Sequence, residues 1–198
     1  MTGRPRPAGL VALALLILLS PLMLLLSGLV LLSMGRPVLF RQQRSGLGGR
    51  IFSMVKFRSM RDLHDAQGMP LPDAQRVTAI GHFLRRSRLD ELPELLNIAR
   101  GDMDFVGPRP LLPQTISAMR DNGVERGRVR PGLTGLAQVS GNTLLTVEEK
   151  LRFDLWYVRN RTASLDMQIM ARTLLVVIAG EKRINWHVDE ARPPHWGR

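Results

Sequence analysis

A long uncharged segment near the N-terminus constrains this chain more than any other feature. The stretch from Ala8 to Met34 carries no charge and consists mainly of Leu, Val, Ala and Met. A helix needs roughly 20 apolar residues to cross the hydrocarbon core of a bilayer, so this segment is long enough to lie in a membrane. It is also longer than the ~7–15-residue apolar core of a cleaved signal peptide, and Ser33-Met34-Gly35 is a poor cleavage site. The segment therefore predicts a retained membrane helix.

The flanks and the centre of this segment bear on its topology. Arg4 and Arg6 precede it, and arginines also follow it, which places both flanks in the cytoplasm by the usual bias of basic residues. Near the midpoint, Pro21 cannot donate a backbone N–H, and the Ser20 hydroxyl can satisfy a carbonyl freed by a kink. These residues are compatible with a re-entrant helix kinked at Ser20-Pro21 and also with a kinked helix that spans the bilayer. The predicted division is a membrane segment, 1–36, and a cytosolic domain, 37–198.

Composition limits the classes of partner and chemistry. The 198 residues carry a formal net charge of +11 and contain no cysteine, which excludes disulfides and thiolate chemistry. The positive charge indicates an anionic partner, such as nucleic acid, an anionic membrane surface or a phosphorylated small molecule. Nucleic acid is disfavoured, because the chain has no known nucleic-acid-binding signature and few aromatic residues.

The segment after the membrane helix is typical of a small α+β domain that is rich in helices and has a few short strands. Strand-like runs at Val38-Leu39-Phe40 and Ile51–Phe57 flank a glycine-rich turn. Helices are predicted over Leu92–Ala99 and from a Thr146/Glu149 capping box to Arg159. The apolar stretch Leu165–Ala179 predicts a helix that is either buried or lies at the membrane interface, and we favour the interface.

The most informative chemical motif is a pair of adjacent carboxylates, Asp90 and Glu91, directly after an arginine-rich run that begins at Arg85. Arginines bind phosphate oxygens bidentately, and Mg²⁺ is usually held by one or two carboxylates together with substrate phosphates. The pattern therefore suits phosphate chemistry beside a divalent cation. A purely structural interpretation is that Ser87 caps a following helix and the acids complement its dipole.

Three further cations are candidates for anion binding. Lys56 and Arg58 are two residues apart where the second predicted strand ends, so both would point to the same face. Arg109 lies between Pro108 and Pro110, which restrict its backbone. The alternatives are solvent-exposed charges for the first two and a rigid turn for Arg109.

Taken together and in this order, these motifs resemble those of the bacterial sugar transferases, the monotopic phosphoglycosyl transferases, in their minimal catalytic form. The resemblance extends to about Ala179 and rests on six motifs, which are Ser20-Pro21, Lys56-Phe57-Arg58-Ser59-Met60, Leu89–Leu95, Gly101-Asp102-Met103, Val106–Pro110 and Pro131–Gly135. It implies transfer of a sugar 1-phosphate from a UDP-sugar to a polyprenyl phosphate such as undecaprenyl phosphate, with release of UMP. That reaction initiates a membrane-linked glycan. It also implies a re-entrant helix, interfacial amphipathic helices, and a catalytic domain on the cytoplasmic face of the bacterial inner membrane.

The resemblance further implies roles for individual residues. Asp90 would attack the sugar-linked phosphate to form a covalent intermediate, and Asp90 with Glu91 would hold Mg²⁺. Lys56, Arg58, Arg85, Arg109 and Asp154 would bind the substrate, Asp154 as a supporting acid. No nucleic-acid partner is implied, and a homodimer is left open.

The chain departs from the family pattern at Arg88, Leu136 and Ser140-Gly141-Asn142, and the last of these lacks an arginine. None of the departures removes a catalytic carboxylate. The competing class is a non-enzymatic basic membrane anchor that binds anionic lipid or a partner protein.

Overall fold

The computed structural model describes residues 6–184, so Arg4 and the Pro193-Pro194-His195-Trp196 tail lie outside the described residues. This part of the chain mixes helices with short strands, which confirms the α+β prediction. The helices are α1 (Pro7–Met34), α2 (Asp73–Arg76), α3 (Ala79–Arg86), α4 (Leu95–Arg100), α5 (Pro113–Ala118), α6 (Asp121–Arg126), α7 (Leu136–Val139), α8 (Val147–Asn160) and α9 (Ala163–Ala179). The strands are β1 (Leu39–Ser45), β2 (Ile51–Phe57), β3 (Asp104–Val106) and β4 (Gly132–Thr134), and 3-10 turns occupy Leu47–Gly49, Leu89–Glu94 and Asn142–Leu144.

The described residues fall into two compact units. Unit 1 lies within Met1–Gln42 and Met54–Ala99, and unit 2 lies within Gln43–Ser53 and Arg100–Arg198. Unit 1 therefore contains both the apolar N-terminal helix and the Leu89–Leu95 segment, which we call the Asp90 motif. The division into segments 1–36 and 37–198 concerns membrane embedding and stays a prediction.

Helix α1 is continuous through Ser20 and Pro21. Pro21 lacks the N–H that would bond to the Ile17 carbonyl, and the Ser20 hydroxyl donates to that same carbonyl at 2.7 Å. The 28 residues correspond to a helix about 42 Å long, more than the roughly 30 Å of a bilayer core. Within residues 6–184, α1 is the one helix that is long and apolar enough to cross a membrane.

The two ends of α1 both contact the Met54–Ala99 segment of unit 1, the unit to which α1 itself belongs. At the N-terminal end, Gly9 lies against the Ala99 carbonyl, which would be 3.3 Å from a Cβ at this position. At the C-terminal end, one face of the helix forms a hydrophobic cluster with side chains of β2 and α3, and its buried members are Leu26, Val30, Met34, Phe57 and Leu84. The opposite face is apolar and exposed, with Ile17, Leu18 and Leu24 at 68%, 72% and 73% exposure. Protein therefore covers one side of α1 near both ends.

The predicted strands and capping box are confirmed. Strands β1 and β2 pair around the glycine-rich turn. The helix predicted over Leu92–Ala99 corresponds to α4, which begins only at Leu95, after the 3-10 turn that contains Pro93. Thr146 Oγ1 accepts from the Glu149 amide at 3.2 Å, while Glu149 Oε2 accepts from the Thr146 amide at 2.8 Å. This reciprocal pair begins α8. The helix ends at Asn160, one residue beyond its predicted end.

Unit 2 is built on a parallel pair of very short strands. Asp104 pairs with Gly132 and Val106 with Thr134. Helices α7, α8 and α9 pack on this pair, and the buried side chains of the cluster are Val106, Leu136, Val139, Tyr157, Leu165 and Ile169. On α9, Leu174, Leu175 and Ile178 are exposed, so this helix has one buried and one open apolar face.

Candidate active site

The Asp90 motif follows a sharp turn at the end of α3. Ser87 is the C-cap of α3, and its hydroxyl donates to the Phe83 carbonyl at 2.7 Å. The structural interpretation of Ser87 as an N-cap is therefore wrong, because its side chain faces the preceding helix. Arg88 adopts a left-handed conformation, with φ 59° and ψ 13°, which is unusual for a residue with a Cβ. This turn directs the chain into the 3-10 turn Leu89–Glu94.

The 3-10 turn buries three carboxylates. Asp90, Glu91 and Glu94 are 9%, 7% and 3% exposed. Lys56 Nζ lies 2.7 Å from Glu91 Oε1 and 2.9 Å from Glu94 Oε1, so one ammonium bridges two acids. The Arg88 guanidinium lies 3.9 Å from Glu91 Oε2. Because buried carboxylates are costly without compensating charge, the Lys56 ammonium and the Arg88 guanidinium offset part of the cost of burying these acids.

Glu94 is the member of this cluster that sequence reasoning did not single out. Glu91 and Glu94 are three residues apart, a spacing that places both side chains on one face of a helical turn. That signal was visible in the sequence, but it did not indicate that Lys56, 35 residues before Glu91, would meet both acids.

A buried amide holds Lys56 close to the carboxylates. Asn97, on α4, is fully buried, and its Oδ1 accepts from the Val55 amide at 3.1 Å. This bond joins α4 to β2 next to Lys56. The position of the ammonium therefore depends on the backbone of β2 and not only on its own flexible side chain.

The other two predicted cations of unit 1 bind backbone and side-chain groups. Strand β2 ends at Phe57, and the guanidinium of Arg58, the next residue, donates to the carbonyls of Met34 and Arg36 at the end of α1. Arg85 Nε donates to Ser59 Oγ at 2.9 Å. Arg58 thus ties the apolar helix to the strand that carries Lys56, while both residues stay predicted substrate contacts.

The remaining predicted residues, Arg109 and Asp154, lie in unit 2 and are connected by a third residue. Arg126 Nε donates to Asp154 Oδ2 at 2.8 Å, and another nitrogen of the same guanidinium donates to the Arg109 carbonyl. Burial raises the pKa of the Asp154 carboxyl above its usual range, while the positive charge of Arg126 acts in the opposite direction. Sequence reasoning missed Arg126, because one arginine within a run of several carries no distinguishing pattern.

The donor chemistry of the 3-10 turn fits Mg²⁺. No group of three or more His, Cys, Asp or Glu side chains within residues 6–184 converges to hold a metal ion. Mg²⁺ does not require such a group, because it is usually bound through one or two carboxylates with substrate phosphates and water. Asp90 and Glu91, adjacent and largely buried, supply hard oxygen ligands of the right kind.

Comparison with known proteins identifies the family. The family model described as bacterial sugar transferase matches residues 8–180. The uncharacterized sugar transferase EpsL of Bacillus subtilis is 41% identical over 170 residues, covering 86% of this chain and 84% of that protein. The exopolysaccharide production protein ExoY of Sinorhizobium fredii is 37% identical over 202 residues and 89% of each chain. A UDP-glucose:undecaprenyl-phosphate glucose-1-phosphate transferase of Xanthomonas campestris is 42% identical over 185 residues. The match covers only 38% of the length of that longer protein.

The chain belongs to the bacterial sugar transferase family. It is an enzyme of that class, and the alternative of a purely non-enzymatic anchor is wrong. The motifs that carried the resemblance in the sequence all lie inside the matched residues.

Proposed function

We propose that this enzyme transfers a sugar 1-phosphate from a UDP-sugar to a polyprenyl phosphate, with release of UMP, as the initiating step of a membrane-linked glycan. The observation that carries the proposal is the buried Asp90-Glu91 pair beside Lys56, in a chain of the bacterial sugar transferase family. The names of relatives support the substrates, since three of them are UDP-glucose:undecaprenyl-phosphate glucose-1-phosphate transferases.

The reaction proceeds in two displacements at phosphorus. An Asp90 carboxylate oxygen forms a bond to the sugar-linked phosphorus, the bond between that phosphorus and the bridging oxygen breaks, and UMP leaves with the electron pair. A phosphate oxygen of the polyprenyl phosphate then attacks the same phosphorus. The product is a polyprenyl diphosphate sugar, and the Asp90 carboxylate is regenerated.

The surrounding charges serve to position and neutralise the diphosphate. Asp90 and Glu91 would hold Mg²⁺, which when bound supplies positive charge at the diphosphate oxygens. The Lys56 ammonium has three N–H donors and lies 2.7 Å and 2.9 Å from two carboxylate oxygens, and its remaining donor is our proposed contact for a phosphate oxygen. Arg58, Arg85 and Arg109 are the further proposed contacts of phosphate or nucleotide.

The geometry of α1 supports a re-entrant topology. Gly9 at one end and Leu26, Val30 and Met34 at the other all contact residues of the Met54–Ala99 segment. A helix with its two ends on opposite sides of a bilayer would not make both contacts with the Met54–Ala99 segment of the same unit. We therefore propose that α1 enters and leaves on the cytoplasmic face of the inner membrane, which brings the catalytic carboxylates close to the lipid phosphate.

The test is UMP release by the detergent-purified protein with a panel of UDP-sugars, polyprenyl phosphate and Mg²⁺. Release that depends on the acceptor, and that falls at least about 1,000-fold in Asp90→Asn, is expected if Asp90 is the nucleophile. Asp62→Asn is the matched control, because that side chain is 78% exposed, and it should keep full activity. A folded wild-type protein that releases no UMP from any donor would overturn the proposal.

A further inference from the structure

The segment from Gly107 to Leu111, which carries Arg109, is fixed by hydrogen bonds along its length. The Gly107 amide donates to the Thr134 carbonyl at 2.9 Å, and the Pro108 carbonyl accepts from the Gly132 amide at 3.0 Å. Further along, the Leu111 carbonyl accepts from the Ser45 amide at 3.0 Å. These bonds tie the segment to β4 on one side and to the last residue of β1 on the other.

Arg126 supplies the fixation at the centre of this segment. The Arg109 carbonyl accepts from the Arg126 guanidinium, and Pro110, which follows, has no N–H to take part in any such bond. Without Arg126, the two ends of the segment would stay fixed while the peptide at Arg109 lost this contact. The direction of the Arg109 side chain depends on that peptide.

Asp154 fixes Arg126 in turn. The side chains of Arg126 and Asp154 are 5% and 7% exposed, and their 2.8 Å ion pair joins the last residue of α6 to the middle of α8. A guanidinium is planar, so a contact at Nε determines where its terminal nitrogens point. Asp154 therefore controls the approach of Arg126 to the Arg109 carbonyl.

The cavity beside Arg126 is small, and Asp154 does not line it. The cavity that Arg126 lines, with Pro108, Gly127 and Pro131, measures about 20 Å³. Such a volume holds about one water molecule. The Asp154 side chain is itself only 7% exposed, so its carboxylate is buried against Arg126.

We propose that Arg126 and Asp154 are positioning residues, which hold the Arg109 backbone so that the Arg109 side chain is presented to the anionic donor. This role replaces the predicted substrate contact of Asp154. It rests on the proposed function, in which Arg109 binds the phosphate or nucleotide of the UDP-sugar.

The test compares two buried-pair variants with a matched surface pair. Asp154→Asn keeps the shape of the side chain but loses its charge, and Arg126→Lys keeps the charge but not the planar fork. The control is Arg159→Gln, which removes a second ion pair between α6 and α8, at 2.6 Å from Glu125 and more exposed. UMP release with the best donor of the panel gives KM and kcat, and hydrogen exchange reports on a peptide covering residues 107–112.

We expect each buried-pair variant to raise the donor KM about tenfold and to speed exchange in this peptide, since a hydrogen bond to a charged group is lost. In an Arg109→Lys background the same changes should raise the KM by less than twofold, because the group that they position is already altered. Arg159→Gln should change neither readout. If Asp154→Asn fails to fold, Arg126→Lys gives the same comparison.

An unchanged KM with unchanged exchange, or a KM effect that persists in full in the Arg109→Lys background, would overturn the inference. If the wild type releases no UMP, the proposed function fails on its own. Exchange in residues 107–112 then still decides whether Arg126 and Asp154 fix this segment.

Discussion

Lys56 shows how much can depend on a single residue of the site. Its ammonium bridges Glu91 and Glu94, two carboxylates from the same turn. An ammonium shared in this way neutralises one buried charge and restrains the other. It also brings β2 and the 3-10 turn together at the point where the proposed chemistry occurs.

Replacing Lys56 with Met should lower the free energy of unfolding by about 3 kcal/mol, because two buried acids lose their shared cation. Glu94→Gln should lower the free energy of unfolding by less, because Lys56 keeps its ion pair with Glu91. Chemical denaturation in detergent measures both values, with Lys182→Met, at an exposed position, as the control. Equal midpoints for Lys56→Met and wild type would show that the bridge contributes no stability.

Tyr157 is the second residue with a distinctive environment. It is 1% exposed, and its hydroxyl donates to Asp166 Oδ1 at 2.6 Å, with the Val106 carbonyl at 3.2 Å. Burial raises the pKa of the phenol well above its usual value, and the hydrogen bond to Asp166 raises it further. The neutral phenol is therefore stabilised in the folded protein.

The chain contains one tyrosine, so tyrosinate absorbance reports on Tyr157 alone. The native protein should show no tyrosinate at pH 10–11, whereas the denatured chain should titrate near pH 10. The sign follows from linkage: a pKa that is raised on folding contributes stability that is fully present below the unfolded value and is lost as pH rises above it. A native titration midpoint near 10 would contradict the buried hydrogen bond.

Among the elements, the parallel pair β3 and β4 shows how a very short sheet can position a functional segment. Each strand has three residues, yet their pairing leads directly into the backbone contacts of Gly107 and Gly132. A Cβ on Gly107 would overlap the Arg130 carbonyl, and a Cβ on Gly132 would overlap the Gly107 amide. Glycine is required at both positions because two backbones approach each other closely.

Gly107→Ala should therefore destabilise unit 2 by about 3 kcal/mol or more, through overpacking against a backbone that cannot move aside. Gly28→Ala is the matched control, because nothing lies within 4 Å of a Cβ at that position. It should leave stability unchanged or slightly higher, as alanine is favoured over glycine within a helix. Thermal unfolding in detergent gives both values, and a Gly107→Ala protein as stable as wild type would show that the strand pair can separate at no cost.

At the scale of the whole molecule, the re-entrant topology is the prediction that matters most for function. The basic residues on both sides of α1, and the contacts of both its ends with the Met54–Ala99 segment, favour the same side of the membrane for Arg6 and Arg41. A spanning helix would place the two flanks on opposite sides.

Because the chain has no cysteine, single cysteines can report the topology. Thr2→Cys and Arg41→Cys should both react with an impermeant maleimide in inside-out vesicles and neither in right-side-out ones. Ile17→Cys, on the exposed apolar face of α1, should react only after the bilayer is dissolved. Labelling of the two flanks from opposite sides would establish a full span.

The sequence by itself determined the local structure and the chemical class. The length of the apolar segment predicted α1, the strand-like runs on either side of the glycine-rich turn predicted β1 and β2, and the Thr146/Glu149 spacing predicted the start of α8. Each of these signals is carried by residues close together in the chain. The family was likewise readable from motifs that are continuous in sequence.

Only the tertiary structure decided how the charged residues are paired. Lys56 meets Glu94, and Arg126 meets Asp154, across separations that no periodic pattern encodes. From the sequence alone, each cation has many acids as possible partners. The folded backbone decides the pairing, because it brings particular cations and acids to within about 3 Å of each other in buried positions. The local propensity of Ser87 to cap a helix was overridden for the same reason, since the path of α3 had already placed its hydroxyl against the Phe83 carbonyl.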